Sequence, residues 1–159
     1  MRPAEPSDRS NATTELYQQV ILDHNRSPRN WGTVADETHR ADGSNPLCGD
    51  RYTVTLKVDA VGRIEEVAVD GNGCAISKAS ASMMSESVKG RSVDEALQLF
   101  EQFRGLVTGE TSADDASEDL GKLKVFNGIA EFPARVKCAM LSWHTLESAL
   151  AGEDVASTE

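Results

Sequence analysis

The chain reads as a single α+β domain, a small antiparallel three-stranded sheet with helices packed on one of its faces. Three observations predict this. Strand-like alternation is confined to residues before Cys74, helical periodicity fills the chain from Cys74 onward, and no segment repeats. With 159 residues, 39% hydrophobic and 26% charged, it has the size and composition of one domain able to bury a core.

Residues 1–13 (MRPAEPSDRSNAT) are polar and rich in turn formers, which predicts a flexible leader. They hold no apolar run of the kind a secretory signal needs. From Thr14 the pattern becomes helical. Leu16, Tyr17, Val20, Ile21 and His24 form one stripe, and Pro28 ends it within a turn-forming stretch, Ser27–Gly32. Thr38–Asp42 offers a first strand. Tyr52, Val54, Leu56 and Val58 alternate with polar residues as a second, half-buried strand. A short connection, Ala60–Gly62, leads into a third at Arg63–Asp70, where Glu65-Glu66 breaks the alternation and predicts a bulge.

After Cys74 a serine-rich helix carries Ile76, Ala79, Met83 and Met84 inward and stops at Gly90. Ser92-Val-Asp-Glu95 is a capping box. It opens a helix whose inner face is predicted to hold Val93, Ala96, Leu97, Phe100, Phe103 and Val107. Thr108–Asp119, with five acidic residues, predicts a mobile loop without core residues. A short helix around Leu120–Phe126 follows. The last helix starts at Pro133, with Ala139, Trp143, Leu146 and Leu150 on one face and Gly152 near its end. The domain is thus predicted over residues 14–152, with 153–159 as a tail.

Composition excludes several function classes. The net charge of −10 disfavours the nucleic-acid backbone, whose binding depends on clustered Lys and Arg. No stretch reaches the roughly 20 apolar residues that span a bilayer. Three cysteines, too few for a disulfide framework, predict a soluble protein of the reducing cytoplasm.

Those cysteines carry the chemistry. Cys48 lies in a Cys-Gly-Asp triplet with Asp50, Cys74 follows Gly71-Asn72-Gly73 at a helix start, and Cys138 lies early in the last helix. Three thiols and a carboxylate form a donor set that a borderline-soft cation such as zinc accepts. The separations of 26 and 64 positions rule out the paired knuckles of ribbons and fingers, so tertiary structure must assemble any such site. Taken singly, each cysteine equally suits a small buried hydrophobe and Asp50 suits a turn or cap. Their shared placement at element boundaries favours a joint site. A helix N-terminus favours thiolate at Cys74. Three thiolates, a carboxylate and a divalent ion sum to −2, so Arg135 and Lys137 beside Cys138 would offset charge and draw an anionic sulfur donor. His24 reads as a satisfied structural histidine, His39 as a strand or loop residue, and His144 as lying on another helix face than Cys138.

Five segments in order, Leu-Asp-His24, Ser-Pro-Arg-Asn30, Asn-Pro-Leu-Cys-Gly-Asp50, Gly-Cys-Ala-Ile-Ser77 and Phe-Pro-Ala-Arg-Val-Lys-Cys138, resemble the NifU N-terminal-like, or IscU-like, iron–sulfur assembly proteins, and most closely their SufU branch. The resemblance spans about residues 14–151. It implies a zinc site of Cys48, Asp50, Cys74 and Cys138, and sulfur transfer from a PLP-dependent cysteine desulfurase (SufS-like) toward the SUF cluster scaffold complex. In that reading a partner-supplied ligand displaces Cys48, which accepts the sulfur, with Cys138 as the second choice. Two departures from the IscU branch, Lys137 where those scaffolds carry a histidine and a longer segment between Cys74 and Cys138, are features of the SufU branch. A lysine ammonium cannot replace an imidazole ligand, which moves the expectation away from the alternative, a scaffold holding iron or a [2Fe-2S] cluster on the same ligands. A purely structural zinc domain is the remaining reading, disfavoured because such sites are closed Cys/His arrangements.

Overall fold

A computed structural model describes residues 6–47 and 49–157. In chain order it contains α1 (Pro6–Arg26), β1 (His39–Asn45), β2 (Asp50–Val58), β3 (Ile64–Asn72), α2 (Ala75–Val88), α3 (Val93–Thr108), a 3-10 segment (Glu118–Glu131), α4 (Pro133–Leu150) and β4 (Val155–Ser157). The sheet order is β3-β2-β1-β4. The three predicted strands are antiparallel neighbours, while β4 runs parallel to β1.

The predicted bulge falls where the alternation slips. Lys57 pairs with Glu66 and Val58 with Ile64, leaving Glu65 as the extra residue. Tyr52, Val54 and Leu56 point into the core from β2, and Val67 and Val69 from β3. α2 and α4 cover that face. Across the other face, the chain between α1 and β1 packs Val34 against the sheet, its N–H donating to the buried Thr55 Oγ1 at 3.0 Å.

The structure departs from the sequence-based expectation at both ends. α1 opens at Pro6, eight residues before Thr14, so most of the predicted flexible leader is helical. Proline is well suited to a first helical turn, and once the amphipathic stripe is docked each added residue extends the ladder by one bond without a new nucleus. The predicted tail contributes β4, joined to β1 partly by the Asp42 N–H on Asp154 O at 2.8 Å. Three residues carry no readable period, and pairing to an existing edge supplies what local pattern cannot.

Two smaller corrections concern the segment after α2. Leu97 is only half-buried, and Leu99 and Leu106 take the inner face of α3 beside Phe100 and Phe103. The acidic loop does contain a core residue, Ala116, and the short helix beyond it is a longer 3-10 segment kinked at Gly121. The capping box forms as predicted, Ser92 Oγ accepting from Glu95 N–H and Glu95 Oε1 from Ser92 N–H, both at 3.1 Å.

The core is organised by aromatics and by the serines of α2. Trp143 stacks on Phe103 with centroids 4.8 Å apart, and Phe126 meets both Phe103 and Tyr17 edge-on. Ser80 Oγ donates to Ala139 O at 2.6 Å and accepts from Trp143 Nε1–H at 3.2 Å, tying α2 to α4. His24 is the structural histidine the sequence suggested: it is buried, with Nδ1 2.7 Å from Ser82 Oγ, and that oxygen also accepts from Arg29 N–H. Among the described residues no helix is long and apolar enough to cross a membrane.

Candidate metal centre

Three of the four predicted ligands converge. One carboxylate oxygen of Asp50 and the sulfurs of Cys74 and Cys138 all lie within 4.8 Å of one another. They come from the first residue of β2, the N-cap of α2 and the second turn of α4. Residues 24 and 64 positions apart meet because β2 and β3 pair with Arg51 opposite Asn72, which returns the chain to the level of Asp50 just as α2 begins. α4 then lies along β1 and β2 and brings Cys138 from the third side. Cys48, the fourth predicted ligand and the expected sulfur acceptor, lies outside the described residues. The neighbouring chain closes with the Gly49 N–H on Asn45 O at 2.9 Å, Gly49 taking a left-handed φ of 72° that favours glycine.

Asp50 is almost fully buried, at 1% exposure, which a carboxylate tolerates only with partners. Its Oδ1 accepts the Cys74 N–H at 2.9 Å, and its Oδ2 lies 3.8 Å from Cys74 Sγ. Cys74 Sγ accepts in turn from Ser77 N–H at 3.4 Å, the N-cap role that a serine oxygen more often fills. The helix N-terminus therefore points an N–H at the sulfur.

Residues that the sequence does not single out for the site support it. Tyr52 donates to or accepts from Ser77 Oγ at 2.8 Å, and Ser77 Oγ lies 3.0 Å from Cys74 O. Burial pushes the Tyr52 phenol up, the Ser77 bond opposes this, and the charges at Asp50, Cys74 and Cys138 add to it. Gly73 is required by space: a Cβ there would collide with Ser77 Oγ and Tyr52 Oη and come within 2.9 Å of Asp50 Oδ1. Tyr17 of α1 packs edge-on against Phe126. Its phenol is raised by burial, lowered by Arg135 and raised by Cys74. No periodicity signals such contacts, because each depends on which elements meet.

Arg135 is exposed, its guanidinium over the Phe132 ring at 5.9 Å, and Lys137 is half-buried beside Cys138. Neither is among the residues grouped as possible metal ligands. His144 packs edge-on against Phe100 and is not one of the grouped ligands. Two soft sulfurs and a hard oxygen, drawn from three rigid elements, fit zinc by donor chemistry and spacing. The buried Asp50 and the orienting N–H groups are the kind of support such ligands receive.

The fold and site define a small α+β domain with a cysteine–aspartate cluster that could hold a metal ion, at the junction of its sheet and helices. The chain belongs to the family described as NifU-like N terminal domain, which residues 16–139 match. It is 43% identical over 139 residues to the zinc-dependent sulfurtransferase SufU of Bacillus subtilis, covering 87% of this chain and 92% of that one. It is 40% identical over 135 residues to the iron–sulfur cluster assembly scaffold protein IscU of Streptococcus pyogenes, covering 85% and 82%. Among solved structures, that of FiSufU from Fervidobacterium islandicum superposes with a TM-score of 0.77 at 32% identity, covering 86% of this chain and 97% of that one.

Proposed function

We propose that this chain is a zinc-dependent sulfur carrier of iron–sulfur cluster assembly, which takes persulfide sulfur from a PLP-dependent cysteine desulfurase and passes it to the SUF cluster-building machinery. The observation that carries this reading is the convergence of Asp50, Cys74 and Cys138 within 4.8 Å in a chain 43% identical to a zinc-dependent sulfurtransferase. Bound zinc would keep the cysteines deprotonated and hold the site in shape.

Asp50, Cys74 and Cys138 would hold the ion, and Cys48 is the thiolate that reacts. Asp50, Cys74 and Cys138 sit on a strand and two helices, whereas Cys48 belongs to the connection between β1 and β2, next to a glycine at φ 72°. The Cys48 thiolate attacks the outer sulfur of the desulfurase persulfide. A new S–S bond forms at Cys48, the donor's S–S bond breaks, and the donor cysteine leaves as a thiolate, so no outside oxidant or reductant is consumed. The persulfide proton remains with the transferred sulfur or passes to solvent. Arg135, exposed at the site, supplies positive charge toward an incoming anionic sulfur.

Labelled-sulfur uptake from the desulfurase tests the assignment. Cys48→Ala is expected to lose uptake while Asp50, Cys74 and Cys138 still bind zinc, and uptake that survives in Cys48→Ala refutes the role of Cys48. The scaffold reading has its own support, the 40% identity to a protein named as a cluster scaffold. Anaerobic reconstitution separates the two. A stable [2Fe-2S] chromophore that moves intact to an apo-acceptor supports the scaffold, and stoichiometric zinc with stimulated desulfurase turnover supports the carrier.

A further inference from the structure

The seam between β1 and α4 holds three buried polar atoms without a hydrogen-bond partner among the described residues: Asn45 Oδ1, Asn45 Nδ2 and Ser142 Oγ. Asn45 and Ser142 are each 1% exposed. Unmatched buried groups are rare and costly. The packing of α4 brings these two side chains together. Near its start, Cys138 places its sulfur within 4.8 Å of the Asp50 carboxylate, and Asp50 is the register partner of Asn45. Seven residues on, Thr145 rests against Gly43, where an added Cβ would collide with its hydroxyl. Cys138, Ser142 and Thr145 are spaced by four and three positions and so share one face of the helix. Ser142 therefore meets the sheet between Asp50 and Gly43. Asn45 shares the inner face of β1 with Ala41 and Gly43, one strand across from Asp50, so its amide borders the same ground. The Thr145 hydroxyl turns back onto its own helix, donating to Leu141 O at 2.7 Å, whereas Ser142 Oγ makes no such bond.

We infer that Asn45 and Ser142 bind one buried water between them, and that this water pins the end of β1 to α4. An amide offers donors and an acceptor and a hydroxyl offers both, so a water, which also does both, matches the pair. Buried waters take two to four such partners. The consequence falls on the turn that carries Cys48. That turn closes with the Gly49 N–H on the Asn45 carbonyl at 2.9 Å, so Asn45 is the residue on which it is hinged. Through the water, the helix that carries Cys138 restrains the hinge of the Cys48 turn. The site stands on packing contacts and is independent of the sulfur-carrier reading.

Nuclear magnetic resonance of the nitrogen-15-labelled full-length chain, as purified, tests both parts. The side-chain amide protons of Asn45 are expected to show contacts to water with the sign of a long-lived bound molecule, and Ser142→Ala should abolish them. The exchange of the Gly49 N–H with solvent should become about 5-fold faster in Ser142→Ala, the loss of about one hydrogen bond from the local opening equilibrium. Asn45→Ala should speed it by a similar factor. The double variant should exchange no faster than either single one, because the two side chains act through one shared water. Ser142→Ala removes a single hydroxyl from a good helix position, so the test does not depend on the larger change at Asn45 being tolerated. An Asn45 amide that contacts the Cys48 side chain and no water overturns the inference, and so does a Gly49 exchange rate unchanged in Ser142→Ala. Neither readout uses bound metal or sulfur uptake, so failure of the metal or carrier reading is recognised separately.

Discussion

Gly73→Ala tests how tightly the metal centre is built. The backbone at Gly73 is not in the left-handed region, so an alanine is tolerated by the main chain and the cost is steric. The added methyl would occupy the space of Ser77 Oγ and Tyr52 Oη and press to 2.9 Å from Asp50 Oδ1. These atoms cannot all retreat, because Tyr52 and Asp50 are buried in the sheet and Ser77 in the first turn of α2. The Tyr52–Ser77 bond at 2.8 Å is expected to break, leaving a buried hydroxyl unmatched at about 1–3 kcal/mol. Overpacking adds about 1–3 kcal/mol. A total near 3 kcal/mol lowers the melting temperature by roughly 6–12 °C for a chain of this size, and displacement of Asp50 should weaken zinc binding about 10-fold or more. Thermal unfolding followed by circular dichroism, together with competition against a chromophoric zinc chelator, measures both. A Tyr52→Phe change in the same background removes one clashing atom and should recover part of the loss, a coupling that a double-mutant cycle reads directly. A Gly73→Ala protein that melts within about 1 °C of the parent, a small fraction of that shift, and binds zinc equally well would refute the packing described for this site.

Two further predictions concern stability away from the metal. Burial is the main cause holding the His24 imidazole below its ordinary pKa of 6.5, with Arg29 adding to it and Glu86 and Asp23 opposing. The folded state therefore binds this proton less readily than the unfolded chain, and the stability it contributes is complete above about pH 6.5 and is lost as pH falls toward the depressed folded value. The difference in unfolding free energy between the parent and His24→Gln, from denaturant titrations between about pH 7.5 and 5, should change across that window, and a pH-independent difference contradicts the role of His24. Ser92→Ala removes the capping box of α3 and is expected to cost about 1 kcal/mol, or roughly 2–4 °C in melting temperature. No change in a thermal scan would mean that tertiary packing alone holds that helix end.

Elements with strong local signals are legible in the amino-acid sequence alone. The alternation in Tyr52–Val58, the capping box at Ser92 and the proline at Pro133 each describe a neighbourhood of a few residues, and each forms the element it predicts. β4 and the first turns of α1 are not legible, because pairing with β1 and extension from a docked stripe supply their stability. The 3-10 segment is only half legible, since Gly121 interrupts its helical geometry.

The cysteines and Asp50 suggest a metal site by residue type and by their places at element boundaries, and Asp50, Cys74 and Cys138 bring their ligand atoms within 4.8 Å of one another. Residue type determines which atoms can bind a soft cation, and that is a property of the chain itself. Which neighbours orient those atoms is decided by strand register and helix docking, which no local pattern encodes. Register places Asn45 opposite Asp50 and returns the chain at Gly73 to the level of Asp50, and the docking of α4 closes the site with Cys138. A one-residue slip in either pairing would turn these side chains to the other face of the sheet and dissolve the centre with every ligand still present in the sequence.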